Sequence, residues 1–257
     1  MDRNGTTNCW SRLKLEKAIY STINDEQPRY PMAMNKKQQT WLAIGLVASL
    51  LIIDQVVKIL VKTHMVIGSD IPVIGDWFHL HFIENEGFAF GMSFGGNVGK
   101  IILTIFRVLA SGAIIWYIVR LLKKGESRTS YIACLSLILA GAVGNIIDCC
   151  FYGLIFSDEY YQVATLFPPE GGYAPFLQGK VVDMFYFPLF DFHWPEWVPY
   201  VGGEYFEFFS AIFNVADAAI TIGVIWLCIE LVFFQKKEEK KEPEEKNVEA
   251  EVVENQL

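Results

Sequence analysis

The chain has 257 residues, of which 53% are apolar or aromatic and 19% charged, and its mean hydropathy is +0.30. That balance excludes a disordered or collagen-like chain and is too apolar for an ordinary soluble domain. The net charge is -8, and residues 235–257, with eight Glu against five Lys, supply three of those units; the body is only mildly acidic, so nucleic acid is not an expected partner.

Residues 1–40 are polar and irregular and lack the apolar surface needed to order themselves. Met32 and Met34 stand just ahead of Asn35, Lys36 and Lys37, so the upstream stretch is read as either a gene-start artefact or a loose, dispensable cytosolic arm. It has no charged, apolar and cleavage-site series of a removable signal peptide. Residues 235–257 read as a solvated cytosolic tail, leaving 41–234 as the domain.

Within that domain four apolar runs, about 20 residues each, are long enough to cross a bilayer as helices: residues 41–61, 101–122, 130–147 and 208–234. Lys and Arg collect before the first run, between the second and third, and in the tail. Residues 149–207 hold only Lys180 against eight acids. The bias predicts both termini in the cytoplasm and two translocated segments, 62–100 and 148–207. The first alternates β-prone stretches with Gly and Asp turns, which predicts a small sheet with a strand over Trp77 to Ile83. The second is rich in Phe, Tyr, Trp and Pro, which suits a loop lying on the headgroup belt.

That orientation brings the polar intramembrane residues to one level. Asp54 and Lys58 fall late in the first helix, Asn145 and Asp148 end the third, and Asn214 and Asp217 lie in the first third of the fourth. A carboxylate in lipid costs roughly 2.5–3.5 kcal/mol on insertion scales, so three at one depth point to function. The two N-x-x-D pairs put Asn and Asp on one helix face. Each alone is also explained by a helix-end cap or a polar contact between helices. Asp183, after the β-prone Val181 and Val182, is a further acid expected at the interface. Two carboxylates in a low-dielectric pocket share a proton, so that one can polarise a carbonyl while the other takes a proton from water.

A metal held by His81 and His193 with Asp183 or Asp217 is conceivable, but neither the cysteines nor the histidines form a pattern that assigns one. Cys9, Cys134, Cys149, Cys150 and Cys228 form no CxxC pair, and no HExxH accompanies His64, His79, His81 and His193. His79 and His81 share a strand face, where a solvated or structural role is the simpler reading. No cofactor and no metal are expected.

Five motifs occur in order: Asp54-Gln55-x-x-Lys58, Asn85-Glu86-Gly87-Phe88-Ala89-Phe90-Gly91, Gly141-Ala142-Val143-Gly144-Asn145-Ile146-Ile147-Asp148, Val181-Val182-Asp183 and Phe213-Asn214-Val215-Ala216-Asp217. Together they resemble the blocks of lipoprotein signal peptidase, signal peptidase II, from about Trp41 to Phe234. The resemblance implies an all-helical four-span domain of the bacterial inner membrane with a small outer β-sheet. It also implies an aspartic endopeptidase, working as a monomer on lipid-modified prolipoproteins at the periplasmic face and cutting before the lipid-modified Cys. By motif, Asp183 and Asp217 correspond to the catalytic dyad, and Asn145, Asp148 and Asn214 to its support, with Gly144 and Ala216 beside them. Asn85, Gly87, Ala89, Phe90 and Gly91 would shape the sheet against substrate. Asp54 and Lys58 would brace the first helix, either as a structural ion pair or with a direct role.

Two departures accompany the resemblance. The family usually has Arg after the N-x-x-D of the third helix, where this chain has Cys149, and Arg107 is the expected substitute. An insertion of roughly residues 157–178 reads as either a lid over bound substrate or a passive interfacial loop. A proton-coupled carrier is the alternative from another class, since intramembrane acids and bases also build relays; an inactive lipoprotein-binding relative is the third reading.

Overall fold

The computed structural model describes residues 34–86, 96–125, 127–158 and 160–233. Apolar runs set the helices, and a capping box starts the first. Helix α1 spans Lys36–His64; the Asn35 side chain accepts from Gln38 N while the Gln38 side chain accepts from Asn35 N, satisfying two orphan donors. Helix α2 spans Gly96–Lys124 and α3 spans Thr129–Ile147. Beyond Ile147 the third helix does not stop: a π-helical turn, Asp148–Tyr152, and one more α-turn, Gly153–Ile155, extend it past its expected end. Helix α4 covers Val215–Phe233.

These four helices are long and apolar enough to cross a membrane. In α3, 67% of the apolar window is buried, against 17% to 22% in the others, so α3 is the axis on which the rest pack. The outer helices keep exposed apolar faces, such as Ile52, Ile53 and Val56 on α1 and Phe106 and Leu109 on α2, as lipid contact requires.

The fourth helix corrects the expected start at residue 208. Residues 208–213 are as apolar as a helix end, but Phe208 ends one strand, Ile212 and Phe213 form another, and the helix begins only after Asn214. Composition does not separate an interfacial strand from the helix that follows it.

Strands β1 (Asp70–Ile74), β2 (Phe78–Asn85), β3 (Val181–Tyr186) and β6 (Ile212–Phe213) form one antiparallel sheet in the order β1-β2-β3-β6. The expected strand over Trp77 to Ile83 is β2, displaced toward Asn85, with a register irregularity between Leu80 and Ile83. The segment expected to lie on the headgroups as a loop instead carries β3 and a separate ribbon, β4 (Phe190–His193) with β5 (Tyr205–Phe208). Val61, Met65, Phe82, Tyr152, Phe156, Val182 and Met184 form a buried cluster that joins the ends of α1 and the third helix to β2 and β3. Truncating a residue placed like Phe82 to Ala costs about 3–5 kcal/mol.

Candidate active site

Asp54 and Lys58 lie one turn apart on α1 and are fully buried, an arrangement only paired charges tolerate. An ammonium has three protons, and all three find acceptors: Lys58 Nζ stands 2.9 Å from Asp54 Oδ2, 2.8 Å from Asp148 Oδ2 and 2.9 Å from Asn145 Oδ1. Gln55, quoted in the motif but given no role from the sequence, closes the cluster. Its amide donates to Asp148 Oδ1 at 3.0 Å and Asp54 Oδ2 at 3.1 Å, and its oxygen accepts from Tyr152 at 3.1 Å. Two of these carboxylate oxygens also reach backbone: Ala216 N donates to Asp54 Oδ1 at 2.9 Å, and Val182 N to Asp148 Oδ2, beside Lys58, at 3.4 Å. Asp54 thereby ties α1 to α4, and Asp148 ties the third helix to β3. Gly144 makes room: a Cβ there would lie 2.7 Å from Asp54 Oδ2 and 3.2 Å from the Ala216 methyl.

Asp148 has a cationic partner after all, on α1. The cation beside Asp148 is Lys58, and Arg107 reaches Cys149 Sγ at 3.6 Å instead.

The second N-x-x-D pair is a capping box at the start of α4. Asp217 N donates to Asn214 Oδ1 at 2.9 Å and Asn214 N to Asp217 Oδ2 at 3.3 Å. Asp217 therefore lies in the first turn rather than in the first third of a longer helix, and there the orphan N–H groups favour negative charge.

From this frame the structure brings Asp183 and Asp217 together through two asparagines. Asn214 donates to Asp183 Oδ1 at 2.7 Å and Asn145 donates to Asp217 Oδ1 at 2.8 Å. The two amides also meet each other, Asn214 Nδ2 to Asn145 Oδ1 at 3.2 Å. Asn85 donates to the other Asp183 oxygen at 3.1 Å. Asp183 is 2% exposed, whereas Asp217 is partly open. Burial first, and the Asp217 charge second, raise the Asp183 carboxyl to about 7, against the opposing pull of the two amide donors. Gly87, Ala89, Phe90 and Gly91 lie outside the described residues.

Behind the sheet is a charge cluster that the sequence did not reveal. Glu84 on β2 pairs with Lys62 of α1 and, at 3.1 Å, with Lys180, which also pairs with Asp158 at 3.1 Å. The Tyr173 ring lies 5.2 Å from each ammonium. His79 Nδ1 donates to Asp70 Oδ2 at 2.8 Å, and among the described residues no group of His, Cys, Asp and Glu could hold a metal ion.

The family model described as signal peptidase (SPase) II matches residues 46–233, which is more than half of the chain. The chain belongs to the signal peptidase II family. Among relatives of this family, a lipoprotein signal peptidase of Porphyromonas gingivalis is 46% identical over 76% of this chain and 85% of its own length. That of Amoebophilus asiaticus is 36% identical over 87% and 89%. A solved structure described as a bacterial membrane enzyme aligns at 26% identity over 74% of this chain and 87% of its own, with a TM-score of 0.47. As a signal peptidase II family member the chain is a multi-pass membrane protease, and all five motifs quoted from its sequence fall inside the matched segment.

Proposed function

We propose that this chain is an aspartic endopeptidase that removes signal peptides from diacylglyceryl-modified prolipoproteins, cutting on the amino side of the lipid-modified cysteine. It acts as a monomer in the bacterial inner membrane with the dyad facing the periplasm, and its chemistry needs no cofactor. The observation that carries the reading is the pairing of Asp183 and Asp217 through Asn214 and Asn145, with Asp183 buried and its carboxyl raised to about 7.

The pair shares one proton, which burial favours on Asp183. Water, reaching the more open Asp217, gives a proton to that carboxylate as its oxygen adds to the scissile carbonyl carbon. Asp183 hands its proton to the carbonyl oxygen, yielding a neutral gem-diol. Collapse returns one diol proton to Asp183, passes the Asp217 proton to the amide nitrogen and breaks the C–N bond, so the dyad ends with the proton count it began with. The amides of Asn85, Asn145 and Asn214 hold the two carboxyls in place.

The experiment is cleavage of a lipidated lipobox peptide by the purified protein, with and without a chelator. The proposal expects cleavage in both conditions. Asp183→Asn and Asp217→Asn, expressed at wild-type levels, should each lose activity by about 100-fold to 10,000-fold or more. Retained turnover in either variant refutes the dyad, and a protein that never cleaves is a carrier or an inactive binder.

A further inference from the structure

The ribbon β4–β5 is built with two unlike faces. Its register pairs Phe190 with Phe208 and Phe192 with Phe206, so four rings stand on one side. The first pair is stacked at 4.6 Å and the second lies at 5.1 Å. The alternating positions, Asp191 opposite Glu207 and His193 opposite Tyr205, make the other side polar. Beyond the strands the tip carries Trp197, 81% exposed, and Tyr200, fully exposed.

Two further observations say what covers the aromatic face. The ribbon is continuous with the membrane-crossing part of the chain: Phe208 lies seven residues before Val215, where α4 starts. Its composition is that of the zone between lipid and water: ten of the 23 residues at 187–209 are aromatic. The same stretch contains four acids and no Lys or Arg, which removes electrostatic attraction to anionic headgroups.

We infer that the β4–β5 ribbon is a lipid-docking arm, whose aromatic face and Trp197–Tyr200 tip insert into the headgroup–acyl boundary by apolar burial and not by charge. The arm extends from the site itself. β3, holding Asp183, leads into it, and β6, which pairs with β3, leads out of it to Asn214 and Asp217. Docking therefore fixes the height of both carboxylates relative to the bilayer surface.

The test reads tryptophan emission from the full-length protein in nanodiscs, independently of any activity. The difference between wild type and Trp197→Phe isolates Trp197. Its emission should be blue-shifted, quenched by lipids brominated near the glycerol end of the acyl chain, and shielded from aqueous iodide. The result should be the same in purely zwitterionic lipid and with anionic lipid added. A second reporter, Tyr200→Trp in the Trp197→Phe background, should behave alike. Phe190→Ser with Phe208→Ser should red-shift Trp197 and open it to iodide. The inference is overturned if Trp197 is quenched by iodide and not by brominated lipid, if shielding needs anionic lipid, if it arises only on adding a lipidated peptide or a second protein, or if the double serine variant changes nothing.

Discussion

Lys58 holds its three acceptors in a dry interior, and each acceptor belongs to a different part of the site: Asp54 on α1, Asn145 on α3 and Asp148 at the π-turn. Removing one partner of a buried ionic network leaves the others as uncompensated charge, which costs about 3–5 kcal/mol. Lys58→Met should therefore lower the thermal midpoint in detergent strongly, and an unchanged midpoint would contradict the network. Asp183 adds a pH signature. The unfolded chain ionises it at the ordinary carboxylate value of 3.8, whereas the folded protein holds the proton up to about 7. Its contribution to stability is therefore complete below the first value and lost as pH rises through the second. Asp183→Asn has no such titration, so its midpoint should rise relative to wild type between roughly pH 4 and roughly pH 8. In the proposed mechanism the wild-type turnover should also fall as pH climbs through that upper value, with a slope of one proton.

Among the elements, the inserted segment departs most from what composition suggested. Its backbone closes the end of the third helix. Tyr173 N donates to Phe156 O at 3.1 Å, Ala174 N to Gly153 O at 2.9 Å and Gly179 N to Cys149 O at 2.8 Å. These are carbonyls that a helix terminus otherwise leaves without partners. The Tyr173 hydroxyl then accepts from Lys180 N at 2.8 Å, just ahead of β3. The approach is so close that a Cβ at Gly172 would run into the Gly153 and Leu154 backbone. Gly172→Ala should destabilise the protein by about 1–3 kcal/mol, as overpacking does, and wild-type denaturation would show the segment to be loosely held. None of this was legible beforehand, since backbone-to-backbone capping leaves no mark on residue type. The helices were legible because about 20 apolar residues have few other uses. The start of α4 was not, because Phe208 to Phe213 extend the apolar run while the Asn214 cap ends it.

At the scale of the whole molecule, the sequence located the convergence of Asp54, Lys58, Asn145, Asp148, Asn214 and Asp217 by adding helix direction to depth. It did not supply Gln55, Tyr152 or the Glu84 cluster, whose roles depend on which helices touch. The direction itself remains a proposal with a direct check. In cells carrying a variant stripped of native cysteines, Glu170→Cys should react with an impermeant thiol reagent added outside, and Lys124→Cys only after the membrane is opened. The reverse pattern would invert the topology. The division of the two carboxylates along the chain has a consequence for biosynthesis. Asp183 precedes the ribbon and Asp217 arrives with α4, so a part-made chain that ends before α4 holds only one of the two. In the proposed mechanism such an intermediate is hydrolytically silent, and cleavage of neighbouring proteins has to wait until α4 is made and packed.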